Sequence, residues 1–140
     1  MTTRSLQFRL TPHHVAISVP DLERAIAWYG EMLGFELEKR DTLPHVPAKV
    51  AFLVRDGFRI EVFELAGAAP LPDARRVPDQ DLRTHGTKHM AFSVAHVADV
   101  IEELRRRGVV IAMEPRSIGS VCVAFVNDDS GNLIEFVQET

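Results

Sequence analysis

The chain repeats itself once, and that repetition limits what it can fold into. His14-Val15-Ala16-Ile17-Ser18-Val19 returns as His89-Met90-Ala91-Phe92-Ser93-Val94. The stretch Asp21–Leu33 closed by Gly34 returns as Val97–Arg107 closed by Gly108, and Ile60-Glu61-Val62-Phe63 returns as Ile134-Glu135-Phe136-Val137. Solenoid repeats recur every ~20–50 residues. Here the period is about half the chain, so two related halves are expected rather than an array.

Each half reads as one β-α-β-β-β module. His13–Val19 alternates apolar and polar residues as a half-buried strand does, with Val15, Ile17 and Val19 on one face and His14, Ala16 and Ser18 on the other. Asp21 is placed to cap a helix whose apolar positions are Leu22, Ala25, Ile26, Tyr29 and Leu33, and Gly34 ends it. A strand is predicted at Phe35–Lys39, and Lys49–Val54 with Phe58–Leu65 forms a hairpin around Asp56-Gly57. The second half repeats this with strand Lys88–Val94, helix Val97–Arg107, and strands Val109–Met113, Ser120–Val126 and Asn132–Gln138. Its helix has His96 where Asp21 stands in the first half, so it lacks an acidic cap. Residues 66–87, with Pro70, Pro72 and Pro78, break the pattern and read as a linker long enough to fold over a cleft. The expected fold is therefore α+β: one domain over residues 1–140, with modules at 13–65 and 88–138. Residues Thr2–Thr11 read as an irregular arm or a short edge strand.

Charge and composition remove several classes of function. A net charge of -4 and the lack of a basic stripe argue against nucleic acid; the run Arg105-Arg106-Arg107 falls at a helix end, where cations suit the helix dipole. No apolar run reaches the roughly 20 residues of a membrane span, and Met1–Leu10 has no apolar stretch of the secretory type. One cysteine, Cys122, builds no disulfide framework; it reads as a buried thiol in a protein of the reducing cytoplasm.

The chemistry-bearing residues recur with the repeat. In each first strand the bulky apolar residues must cover the helix, which turns His14 and His89 to the opposite face beside small residues: Ala16 and Ser18, Ala91 and Ser93. Glu61 and Glu135 alternate with apolar neighbours and share that second face. Taken singly, each is an ordinary polar strand residue. As a set, two imidazoles and two carboxylates suit one divalent ion per site, Ni, Co, Zn, Mn or Fe, and their charge balances it. Six-coordinate geometry would leave two positions for oxygens of water or of a small-molecule substrate.

These segments resemble the vicinal-oxygen-chelate superfamily, which includes glyoxalase I, methylmalonyl-CoA epimerase, extradiol dioxygenases, and fosfomycin- and bleomycin-resistance proteins. The resemblance rests on the run from His14 through Trp28-Tyr29 to Leu33-Gly34-Phe35, then Gly57–Phe63, Lys88–Val94, and Asp129-Ser-Gly-Asn-Leu-Ile-Glu135-Phe136. It implies two βαβββ units whose sheets curl around a metal cleft. That cleft forms within one chain or across a dimer, and a homodimer is expected. By the same resemblance the metal ligands are His14, Glu61, His89 and Glu135. Bleomycin-binding members generally lack such ligands.

Glyoxalase I and the epimerase point to a lyase or isomerase acting on a small oxygenated carbonyl compound through a metal-stabilised enolate. Glu135 or Glu61 would serve as base. Where epimerases carry a further Glu, this chain has His45, a candidate for proton transfer that departs from the pattern. Arg59, on the face of Glu61, is a candidate for holding a substrate carboxylate. Arg83, in the linker ahead of His89, is a candidate for closing over the cleft. The alternatives are an extradiol-type dioxygenase on non-haem iron, which would use only two His and one carboxylate, and a binding or resistance protein without turnover.

Overall fold

A computed structural model of the chain describes residues 7–140. The element order is β1 (Val15–Ser18), α1 (Leu22–Leu33), β2 (Glu36–Thr42), β3 (Ala48–Arg55), β4 (Phe58–Leu65), a 3-10 turn (Asp73–Arg76), α2 (Pro78–Asp81), β5 (Met90–Ser93), α3 (Val97–Arg106), β6 (Ile111–Ile118), β7 (Val121–Asn127) and β8 (Leu133–Glu139). Strands assemble as two four-stranded sheets, ordered β1-β4-β3-β2 and β5-β8-β7-β6. In each sheet the first strand runs parallel to the last and the other pairs are antiparallel. The fold is α+β with mixed sheets, and the two halves have one topology. The first part of the arm expected at Thr2–Thr11 lies outside the described residues.

Local chemistry accounts for the boundaries. Asp21 accepts a hydrogen bond from the Arg24 backbone amide at 3.1 Å, and Gly34 ends α1 at φ 71. The β3–β4 hairpin turns on Asp56 (φ 48) and Gly57 (φ 80), the two positive angles that a tight two-residue turn needs. His96 gives α3 no side-chain cap. Both helices also receive a bond from the sheet: Gln138 Oε1 accepts from Val97 N at 2.9 Å, as Glu64 Oε1 accepts from Leu22 N at 2.8 Å. Gln138 stands three places after Glu135 as Glu64 stands three places after Glu61, so this bond is common to the two modules and the Asp21 cap belongs to the first alone.

Several strands depart from their expected lengths: β1 and β5 are shorter and begin one residue after His14 and His89, whereas β2 and β6 are longer. β2 continues to Thr42 and β6 to Ile118, the latter passing through Pro115. Both are edge strands, where a proline without a donor is tolerated. Residues 66–87 are also more ordered than a plain linker, with a 3-10 turn and the short helix α2.

One continuous apolar cluster takes residues from both modules: Leu22, Ala25, Tyr29, Ile60 and Val62 from the first, Ile101, Leu104, Ile134 and Phe136 from the second. Each module contributes its helix and the helix-facing side of its sheet. Tyr29 Oη donates to Asp128 Oδ2 across the modules at 2.7 Å, and Arg107 Nη1 donates to the Glu31 carbonyl at 3.1 Å. The modules are joined through their helix sides, which leaves the other face of each sheet turned away from this core. No helix among the described residues is long and apolar enough to cross a membrane.

Candidate metal centre

Strand register puts the repeated residues where pleating predicts. Ala16 is opposite Glu61 and Ala91 is opposite Glu135, so each carboxylate rises beside an alanine on the face away from the core. His14 Nε2 lies 3.4 Å from Glu61 Oε1, and His89 Nε2 lies 2.8 Å from Glu135 Oε2. These side chains retain between 18% and 32% of their exposure, so both pairs are partly sheltered yet reachable. His13 Nδ1, 2.7 Å from His14 Nδ1, fixes the outer edge of that ring, the arrangement by which neighbours orient metal-ligating imidazoles.

A further residue belongs to each pair. Phe52 is opposite Glu61 and Phe125 is opposite Glu135. The His14 ring stands edge-on to Phe52 at 5.3 Å and the His89 ring to Phe125 at 4.8 Å, close to the T-shaped arrangement that aromatic rings favour. Both phenylalanines are 7% exposed although they sit on the outer face. They form a floor that fixes the imidazole tilt. Their signal was present in the sequence as a further repeat, Val50-Ala51-Phe52 against Val123-Ala124-Phe125.

The two pairs remain apart within one chain. Among the described residues no three His, Cys, Asp or Glu side chains come together as an ion site requires. His14 meets Glu61 and His89 meets Glu135; the four do not converge. The remaining candidates occupy other surroundings. Arg59 Nε is 3.1 Å from both oxygens of Glu38, so its charge is already answered. His45 is exposed in the β2–β3 turn and Arg83 is exposed just after α2. Neither has a side-chain partner among the described residues.

The linker does reach one of the pairs. Asp81 at the end of α2 is 1% exposed, and its Oδ1 accepts from Arg75 Nε at 2.6 Å and Lys88 Nζ at 3.1 Å. Lys88 Nζ also donates to the carbonyls of Asp81, at 2.7 Å, and Thr84. A buried carboxylate therefore ties α2 to the residue next to His89, at the low cost that paired charges allow. Nothing in the linker's composition signalled that burial.

At the far side of the inter-module contact the Asp129 side chain is 4% exposed, on a residue that is itself half-buried, and Arg24 Nε is 3.9 Å away. Burial, and then the adjacent Asp128 charge, push the Asp129 carboxyl up to about 6, with Arg24 opposing. Its folded pKa exceeds the unfolded value near 3.8, so the fold favours the protonated acid. That contribution is present below pH ~4 and is lost as pH rises through about 6. Asp129→Asn is expected to flatten urea-unfolding stability between pH 4 and 7. At pH 7 it should gain about 1–2 kcal/mol, less than the whole shift because solvent at the turn screens the charge. A variant with the parent's pH slope would contradict this assignment.

The family model described as the glyoxalase/bleomycin resistance protein/dioxygenase superfamily matches residues 11–136. The chain belongs to that superfamily. Among curated superfamily relatives, lactoylglutathione lyase of Salmonella typhimurium is 31% identical over 128 residues, covering 89% of this chain and 90% of its own. Lactoylglutathione lyase of Arabidopsis thaliana is 32% identical over 127 residues and 89% of this chain, and the chain spans 43% of that longer relative. A 2-epi-5-epi-valiolone epimerase of Actinomyces sp is 31% identical over 134 residues, covering 84% of this chain and 70% of its own. The solved glyoxalase family protein of Enterococcus faecalis superposes with a TM-score of 0.76 at 24% identity, covering 91% of this chain and 97% of its own. Glyoxalase I of Leishmania major gives 0.72 at 24% identity, covering 94% and 88%. These two likenesses carry the fold.

Proposed function

We propose that this protein is a divalent-metal-dependent lyase or isomerase that moves a proton next to a carbonyl group of a small oxygenated substrate. The observation that carries the reading is the pair of matching His–Glu couples, one per sheet, each on the outer face and each too small alone to hold an ion. The donor set fits a borderline divalent ion such as Ni, Co, Zn, Mn or Fe: two neutral imidazoles and two carboxylates, partly sheltered, on aromatic floors.

Since the couples stay apart in one chain, the site is read as shared between two copies, with His14 and Glu61 from one and His89 and Glu135 from the other. The working protein is then a homodimer with two equivalent sites. When bound, the ion supplies a Lewis acid for vicinal substrate oxygens and acidifies the adjoining C–H. The chain's own part is to hold the imidazoles with Phe52 and Phe125 and to shuttle the proton on a carboxylate oxygen of Glu135 or Glu61. The lyases and the epimerase among its relatives support this class of chemistry.

The test follows exchange of the C–H beside the carbonyl into deuterated water by NMR. Substrates are a panel of 2-hydroxy ketones and 2-oxoaldehyde hemithioacetals, with protein stripped by a chelator and then reloaded with Ni, Co, Zn or Mn. Exchange that disappears on stripping and returns with one equivalent per chain is expected. Exchange that persists in stripped protein contradicts the reading.

A further inference from the structure

The His89–Glu135 couple opens onto a cavity of about 220 Å³, closed on one side by α2 and on the others by β6 and β7. Leu82, Met113, Ile118 and Val123 give it an apolar wall, and Arg116 is also among its lining. Of its two cations, Lys88 is spent on Asp81 and on carbonyls. Arg116 pairs with no carboxylate among the described residues, in contrast to Arg105 nearby, which Glu102 and Glu114 hold.

Arg116 reaches this wall by a break in strand register. Met113 is opposite Phe125 and Arg116 is opposite Val123, so three steps on β6 match two on β7. That extra residue is a bulge, and bulges re-aim side chains beside functional sites. In a regular strand a residue three places from Met113 would point to the other face. The bulge turns Arg116 to the face that carries Phe125 and Glu135. Two strands across and one row along, its backbone is roughly 12 Å from that of Glu135.

We propose that Arg116 binds a carboxylate at the far end of the substrate, whose vicinal oxygens sit at the His–Glu site and whose apolar middle fills the cavity. The inference rests on the metal-site reading above and narrows its substrate to acids with a chelating head, several carbons of apolar spacer, and an anionic end. A guanidinium fork matches a carboxylate in two parallel hydrogen bonds.

Two probes differ only in that end: suberic monohydroxamate, with a terminal carboxylate, and octanohydroxamate, with a methyl. Both are titrated into cobalt-loaded protein and followed by the visible cobalt spectrum. The parent protein is expected to bind the carboxylate probe about tenfold more tightly. Arg116→Met should bring the two to parity with cobalt uptake unchanged, and Arg116→Lys should keep part of the preference. Equal binding in the parent, a preference that survives Arg116→Met, or no response to either probe in cobalt-loaded protein overturns the proposal. Failure to take up cobalt at all would instead bring down the metal-site reading.

Discussion

Protein carrying His89→Ala and Glu135→Ala together is expected to hold no metal after gel filtration, and so is protein carrying His14→Ala and Glu61→Ala. Each change removes half of the proposed four-residue donor set. Substitutions that merely reorient a ligand weaken metal binding by ~10–100-fold, so losing two ligands should exceed about a hundredfold. The loss should be the same from either half, because each couple has the same construction: an imidazole and a carboxylate over a phenylalanine floor. Folding should be nearly unaffected. The couples lie on the outer sheet faces and keep a fifth to a third of their exposure, and pairs this accessible contribute about 1 kcal/mol or less. Elemental analysis and thermal melts of both variants separate loss of the site from loss of the fold. Full metal content in either one would show that the opposite couple suffices.

Asp128→Ala is expected to cost the most stability of any single polar substitution, about 3–4 kcal/mol. Asp128 is 5% exposed. Its Oδ1 accepts from Ser130 N at 2.8 Å and Asn132 N at 2.9 Å, which closes the β7–β8 turn. Its Oδ2 accepts from Asn132 Nδ2 at 3.0 Å and, from the other module, Tyr29 Oη at 2.7 Å. Removal strands a tyrosine hydroxyl in a residue of 0% exposure, and an unsatisfied buried donor costs more than a lost bond contributes. Burial, then the Asp128 charge, raise the Tyr29 hydroxyl well above its ordinary range, so the phenol stays protonated and donating. Part of the loss is returned because Asp129 no longer faces a second carboxylate. Tyr29→Phe keeps the other three bonds and should cost only about 1 kcal/mol. Urea titrations at pH 7 distinguish the two; equal effects would mean that the turn bonds contribute nothing beyond the inter-module one.

Much of this was legible before any coordinates. Helix caps, the Asp56-Gly57 turn and the alternation around His14, Glu61, His89 and Glu135 are local, and local sterics decide them. The directions of Glu61 and Glu135 follow from pleating, and His14 and His89, one residue ahead of β1 and β5, come to the same face. How the two sheets sit relative to one another is not local. It depends on Tyr29 meeting Asp128 and on the merging of two apolar clusters, and no periodicity encodes either. The separation of the two couples within one chain was illegible for that reason. Phe52 and Phe125 were legible as a repeated Val-Ala-Phe but are ordinary strand residues until their register with Glu61 and Glu135 is known. Asp81 was hidden more deeply. A carboxylate in a proline-rich linker reads as solvated, and only the arrival of Arg75 and Lys88 makes its burial affordable. The bulge that turns Arg116 to the face of Glu135 was masked by Pro115, which reads as the end of a strand rather than part of an edge.

The central claim is that one site draws His14 and Glu61 from one copy and His89 and Glu135 from another. Co-expression of the two double-alanine chains under different affinity tags, with purification of the mixed dimer, tests it directly. In the mixed dimer one interface unites both intact halves and the other unites both damaged halves. One metal ion per mixed dimer, with none in either parent variant, is the predicted result. A mixed dimer as empty as its parents would contradict the account, since no shared site would then have been rebuilt.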